Sequence, residues 1–217
     1  MAEVAENIAA KKSEALFSKR RVRLMTDPLD DDNPVTVQVL GICSALAVTA
    51  KMEPTLVMAI AVTFVVVFAN LIISLIRNLI PNRVRIIVQL AIVASLVILV
   101  DQVLRAFLFD VAKVVGVYVG LIITNCIVMG RLEAFAMGNK PYDSVLDGFG
   151  SSFGYAWVIL VVAFFRELFG SGSVFGIKIM PEFIPNNGLM TNPVGAFIII
   201  ALIIWVQRAR NGYTEAH

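Results

Sequence analysis

The chain has 217 residues, 59% of them hydrophobic and 16% charged, with a formal net charge of +2. A water-soluble domain of this size has no interior large enough for so much apolar surface, so the composition excludes a soluble fold and points to lipid as the solvent. A charge so near neutral also excludes the broad basic surface that nucleic-acid binding requires.

Residues 1–33 form a polar segment that carries Lys11, Lys12, Lys19, Arg20, Arg21 and Arg23, then the acidic run Asp30-Asp31-Asp32. With no apolar core followed by a small-residue cleavage site, it reads as a cytoplasmic N-terminal arm and not as a removable signal. The acidic run reads as solvated, mobile chain in preference to a cation site. Asn33 is placed to cap the helix that follows, with Pro34 as its first residue.

Six apolar runs come next: Val35–Ala50, Thr55–Ile76, Ile86–Val100, Val114–Met129, Phe149–Phe165 and Met190–Val206. Each approaches the ~20 helical residues that cross ~30 Å of hydrocarbon. Lipid offers no partner to an open strand edge, so all six are expected to be helices. The fold class is an all-α integral membrane protein, with six transmembrane helices over 34–207 and a C-terminal tail at 208–217. An even number of spans places both termini on one side. With the termini inside, thirteen Lys and Arg fall in the cytoplasm: the six of the arm, Arg77, Arg83, Arg85, Arg131, Lys140, Arg208 and Arg210. Five fall outside, Lys51, Arg105, Lys113, Arg166 and Lys178, and the positive-inside rule sets both ends as cytoplasmic.

Cut after its third helix, the chain divides into halves of three helices, about 34–105 and 114–207, the second inverted relative to the first. Each half opens with a short, polar-interrupted helix bearing a single cysteine, in QVLGICSALAVT and GLIITNCIVMG, and each has an arginine towards the end of its second helix, Arg77 and Arg166. At 1.5 Å per helical residue, Cys43 lies about 14 Å from Pro34, whereas Cys126 lies only about 7 Å from Arg131. The two depths agree if the chain is unwound around Asn125-Cys126, and Gly41, Asn125 and Gly130 suit such breaks. Irregular backbone at that depth is tolerated only where protein or a cavity covers it, so a broken helix there marks a site.

Cys43 and Cys126 are the only two cysteines. Taken singly, each reads as a small core residue. As a matched pair they also suit a soft metal, since thiolates favour iron–sulfur and zinc sites. Neither lies in an extracytoplasmic loop, which disfavours a structural disulfide. Thiolate centres usually need four ligands, and the only histidine is the terminal His217; any such centre must be shared with another chain. The residues alone leave packing and metal binding both open, and a six-helix secondary transporter with incidental cysteines remains an alternative.

Other polar residues are read more simply. Gln38, Asn70, Gln89 and Asn125 are expected to hydrogen-bond between helices in preference to lining an ion path. Arg166-Glu167 is expected to snorkel and pair at the outer end of the fifth helix. Asp101, Arg105, Asp110 and Lys113 form a balanced outer loop with helical ion-pair spacing. The stretch FGSGSVFGIKIMPEFIPNNG (169–188) lacks a phosphate-loop lysine and reads as an ordered cap on the outer face.

The segments NPVTVQVLGICSALAVTAKMEPTLVMAIAVTF, NLIISLIRNLIPNRVRIIVQLAIVASLVILVDQ, VGLIITNCIVMGRLEAFAM and FRELFGSG resemble a family of membrane subunits that includes the D and E subunits of the bacterial Na+-translocating NADH:quinone oxidoreductase and two membrane subunits of the Rnf electron-transport complex. The resemblance runs from about Asn33 to Arg208 and is nearer to the D-type member of the quinone-reducing pump, with Ser44 where the Rnf branch is expected to carry proline. It implies six helices, with helices 1 and 4 interrupted at the cysteines. It also implies that Cys43 and Cys126 are ligands to one [2Fe-2S] cluster, or another iron centre, completed by two cysteines of a homologous partner, the E subunit. The implied setting is a six-subunit complex, A to F, in the bacterial inner membrane, with flavins and NAD carried by other subunits. This chain would relay single electrons and have no independent active site, while the complex reduces ubiquinone to ubiquinol and exports Na+ from cytoplasm to periplasm.

Overall fold

A computed structural model of the chain describes residues 24–29, 33–81, 83–107, 116, 118–174, 177–178 and 188–211. The helices in order are α1 (Ile42–Val48), α2 (Met52–Ile76), α3 (Arg85–Phe107), α4 (118–123), α5 (Cys126–Arg131), α6 (Pro141–Ser171), α7 (Gly188–Thr191) and α8 (Pro193–Asn211). α5 continues as a π-turn, Leu132–Ala136. Five stretches are long and apolar enough to cross a membrane: α2, α3, Tyr118–Ala136 with its internal break, α6 and α8. The first apolar run supplies no sixth helix of that length. It folds as a turn after Asn33, a bend, and the seven-residue α1.

The long helices exceed the apolar runs that announced them. α6 begins at Pro141 instead of Phe149, with proline in its first turn where no amide bond is lost. It ends at Gly172, whose φ of 65° gives the left-handed C-cap open to glycine. Its early residues Ser144, Asp147, Ser151 and Ser152 are polar but buried, so hydropathy alone stops short. α3 likewise runs to Phe107, which puts the Asp101–Arg105 ion pair (2.8 Å) on a helix and not in an outer loop. Asp110 and Lys113 lie outside the described residues. Of the 169–188 cap, Ser173–Val174 and Ile177–Lys178 pair as a short antiparallel hairpin; residues 175–176 and 179–187 are not among those described.

α2 and α6 form the central pair and pack more extensively than any other two elements. A β-carbon at Gly148 would lie 2.9 Å from Asn70 Nδ2 and 3.4 Å from the Val67 Cα; its absence lets the helix backbones close, as small residues do between membrane helices. Asn70 Nδ2 then donates to the Ser144 carbonyl at 3.0 Å. Val62, Val65, Val66 and Ile73 of α2 meet Tyr155, Ile159 and Val162 of α6 in one continuous core, which Ile122, Ile127, Val128 and Leu132 extend.

Part of the polar arm belongs to this body. Residues 24–29, ending in a single 3-10 turn, lie across α6, where a β-carbon on Gly150 would come 2.5 Å from the Leu24 carbonyl oxygen and one on Gly154 would collide with that of Pro28. Asn33 closes the segment: its Nδ2 donates to the Gly154 carbonyl at 3.3 Å, and its Oδ1 accepts from Val35 N at 3.0 Å and Thr36 N at 3.3 Å, so it caps as expected but caps a turn, since no helix begins at Pro34. The acidic run Asp30-Asp31-Asp32 lies outside the described residues.

Two arginines tie the ends of the central helices to turns elsewhere in the fold. Arg166 is 2% exposed and donates to the carbonyls of Leu46 (3.3 Å), Met190 (3.1 Å) and Asn192 (3.3 Å) and to Thr49 Oγ1 (2.7 Å). Glu167 accepts from the amide of Met52, at the start of α2. The expectation of snorkelling is corrected, because these two residues point inward and satisfy backbone groups where α1 turns into α2. Arg77, just past α2, donates to the carbonyl of Asn139, where the π-turn leads into α6, and Ser74 Oγ reaches the same oxygen at 2.7 Å. Arg166→Leu is expected to destabilise the protein by about 3 kcal/mol, since several buried acceptors lose their donor at once. Arg77→Leu should cost on the order of 1 kcal/mol. Thermal unfolding of the two variants in one detergent checks the difference.

Candidate metal centre

Each cysteine sits at the start of a short helix that follows a break. Val39 has φ of 59° and Gly41 φ of 80°, so two left-handed residues within three turn the chain between the Asn33 cap and α1, and Cys43 falls in the first turn of α1. Such a φ is uncommon for a β-branched residue and costs about 1–2 kcal/mol. Gly41 is confined twice over, since a β-carbon there would also sit 3.0 Å from the Tyr155 ring. At the second break Asn125 is extended, with φ −66° and ψ 123°, and its side chain accepts from Ile127 N at 3.3 Å to cap α5, of which Cys126 is the first residue. Gly130 leaves room for Leu40 from the opposite break, whose side chain would be 3.0 Å from a β-carbon there.

A buried polar network locks the two breaks together. Ser44 Oγ donates to the Gly41 carbonyl at 2.8 Å. Its single hydrogen being used, it accepts from Tyr155 OH at 2.8 Å and from Asn125 Nδ2 at 3.2 Å. Ser44, Asn125 and Tyr155 are each 2% exposed or less, so the network joins α1, α5 and α6 without a gap to lipid.

The result is that Cys43 Sγ and Cys126 Sγ, 83 residues apart in sequence, lie 3.8 Å apart. That is far beyond the ~2.05 Å of a disulfide, and both thiols are free and exposed on the surface of the chain. Two thiolates on one tetrahedral metal at ~2.3 Å are separated by about 3.8 Å, so the donor pair fits two ligands of a single metal atom. Among the described residues no group of three or more His, Cys, Asp or Glu could hold a metal ion; the chain brings two thiols together on an open face.

The sulfurs meet with the chain extended at Asn125, as the expected break requires. In addition, the helix does not end at Arg131. It continues to Ala136, which places Cys126 about 15 Å from that end. Arg131 is not a loop residue. Its guanidinium pairs through two nitrogens with Asp147 of α6, Nε to Oδ2 at 3.0 Å, and stacks over Phe135 at 5.7 Å. The π-turn carries Glu133, which pairs with Arg85 and accepts from Gln89 Nε2 at 3.0 Å. Gln89, Asn70 and Asn125 thus hydrogen-bond between helices, as expected. The Arg131–Asp147 pair and the Ser44–Asn125–Tyr155 network were not foreseen; the available signals were an aspartate and a tyrosine on a face with Gly148, Ser151 and Ser152.

Broken helices meeting at an exposed thiol pair on a bundle of long apolar helices mark a multi-pass membrane protein. The chain belongs to the family described as "Rnf-Nqr subunit, membrane protein", whose model matches residues 21–204. It is 54% identical over 196 residues to the D subunit of the Na(+)-translocating NADH-quinone reductase of Photobacterium profundum, covering 88% of this chain and 93% of that one. Against the protein of the same name from Psychromonas ingrahamii it is 56% identical over 190 residues, 85% of this chain and 90% of the relative. With that of Shewanella halifaxensis it shares 54% over 196 residues, 88% of this chain and 93% of the relative.

If the breaks hold the sulfurs at this spacing, removal of metal with a chelator followed by mild oxidation should join Cys43 and Cys126 within the chain, as seen by mass spectrometry. In Gly41→Ala, which forces both the φ and the Tyr155 contact, formation of that disulfide should slow several-fold.

Proposed function

We infer that this chain is a membrane subunit of a Na+-translocating NADH:quinone reductase, in which Cys43 and Cys126 hold half of an iron–sulfur centre shared with a homologous subunit. The observation that carries the reading is the 3.8 Å separation of two exposed sulfurs at paired helix breaks, together with the relatives' names, which state Na+ translocation and NADH–quinone reduction. Bound between the subunits, such a centre would supply one-electron transfer near the middle of the membrane.

What this chain contributes is placement. Ser44, Asn125 and Tyr155 fix both sulfur-bearing turns, so the ligand positions need not rearrange when the charge of the centre changes. Ile122, Ile127 and Val48, all buried, keep water from the inner side of the site. The open side is where a partner's two thiolates would enter, and the homologous E subunit, in a six-membered complex, A to F, is the supplier we propose. NAD and flavins would then be carried by other subunits, and the overall reaction would reduce ubiquinone to ubiquinol while Na+ leaves the cytoplasm.

The proposed arrangement has six transmembrane segments as two inverted three-helix repeats, the broken first segment counting as one. The reciprocity of the arginine contacts supports it. Arg166, near the end of α6, caps the turn between the first two segments, and Arg77, at the end of α2, caps the turn between the fourth and fifth. Both termini are proposed to be cytoplasmic in a bacterial inner membrane. With Arg131 and Arg166 drawn into the protein, the positive bias of that side still holds.

Cys43→Ala and Cys126→Ala test the function in the purified complex. Each should lose one iron centre by metal analysis and by the paramagnetic signal of the reduced state, and should stop NADH-to-quinone electron flow while the complex assembles. Unchanged iron and turnover in both variants would sink the proposal.

A further inference from the structure

The turn that carries the chain to Cys43 is strained. Val39 has φ of 59° and is 55% exposed, and a β-branched residue stays in that region only where its surroundings over-determine it. Both ends of the turn are pinned by adjacent residues of α6. At the near end Asn33, 1% exposed, gathers four successive amides: its Oδ1 accepts from Val35 and Thr36, and its carbonyl accepts from Val37 at 3.0 Å and Gln38 at 3.2 Å. Its Nδ2 ties this cluster to the Gly154 carbonyl, in the peptide group that leads into Tyr155. At the far end the Tyr155 ring would be 3.0 Å from a β-carbon on Gly41, and its hydroxyl bonds Ser44, next to Cys43.

We propose that Asn33 is a positioning residue for the thiol pair, holding Cys43 at Cys126 through its bond to Gly154. Ser44 and Asn125 fix the two sulfur-bearing turns to each other, whereas Asn33 fixes the approach to the first of them to the central helix. A carbonyl oxygen has two lone pairs, so accepting from Asn33 does not cost α6 a bond of its own. Glycine at 154 makes the contact possible, since a β-carbon there would be 3.3 Å from Asn33 Nδ2 and would collide with the Pro28 carbonyl. Residues 24–29 and Asn33 therefore share one notch, and the segment before the first break is tied to the placement of Cys43. The bearing of this on an iron centre rests on the reading of the two cysteines as its ligands; the placement of the sulfurs does not.

The test uses the whole purified complex carrying Asn33→Ser. Serine still caps Val35 and Thr36 but lacks the amide nitrogen that reaches Gly154. After removal of metal with a chelator and oxidation with diamide, the Cys43–Cys126 disulfide should form several-fold more slowly than in the unaltered complex, because a loosened turn lowers the effective concentration of one thiol at the other. Gly154→Ala, which blocks the notch, should slow it likewise, whereas Arg77→Leu, which touches neither break, should leave the rate unchanged. With metal bound, Asn33→Ser should shift the paramagnetic signal of the reduced centre at unchanged iron content. Closure at the unaltered rate or faster in either notch variant, or an iron signal that does not shift, would overturn the proposal. Equal slowing in Arg77→Leu would mean general loosening and overturn it as well. If closure slows as expected and no iron is found at these cysteines, the positioning role stands and the reading of them as iron ligands falls.

Discussion

Everything at the centre of this protein depends on a single constraint: a helix broken inside a membrane exposes peptide groups that lipid cannot satisfy. The chain breaks two helices at one depth and supplies the missing partners from its own side chains. Asn125 caps the amide beyond the second break, Asn33 caps the turn that leads into the first, and Ser44 answers the Gly41 carbonyl. Because Ser44 also binds Asn125 and Tyr155, satisfying one break fixes its position relative to the other. The sulfurs inherit that precision, since each is within two residues of a residue in the network.

Around this centre the polar groups serve the same end at the edges of the bundle. Arg166 gathers carbonyls from α1 and from the stretch Met190–Asn192, and Arg131 pairs with a fully buried aspartate. Breaking a buried pair by removal of one partner leaves a charge without compensation, a cost of about 3–5 kcal/mol. Such contacts specify one arrangement of helices that are otherwise apolar and similar. Small residues on α6 add a steric layer, since Gly148 admits α2 while Gly150 and Gly154 admit the residues before the first segment. The central helix is therefore packed closely on two sides, and the thiol face is left open. That asymmetry is what a site completed by a second subunit requires.

The long helices and the pair of interrupted ones were legible in the sequence because hydropathy and glycine placement report them directly. That Cys43 and Cys126 belong together was legible because they are the two cysteines of the sequence and each follows a signal for a helix break. What escaped was polar and tertiary. The residues Pro141–Gly148 look like loop until Asp147 finds Arg131 and Ser144 finds Asn70. Arg166 looks interfacial until it is seen under the turns it caps. Residues 24–29 look like solvated arm until the notch formed by Gly150 and Gly154 is known, and a notch needs two elements to exist. Tyr155 shares a face with Gly148, Ser151 and Ser152, but nothing local points to its partner Ser44, 111 residues away.

The central claim is that Cys43 and Cys126 bind the same metal atom. Mössbauer spectroscopy of the 57Fe-enriched complex carrying both Cys43→His and Cys126→His addresses it most directly, because histidine can replace cysteine on one iron of a two-iron cluster. The account predicts two unlike irons in equal amounts, one with wholly sulfur ligands and one with nitrogen ligands. Two equivalent irons, each with one nitrogen, would place the two cysteines on different metal atoms and contradict it.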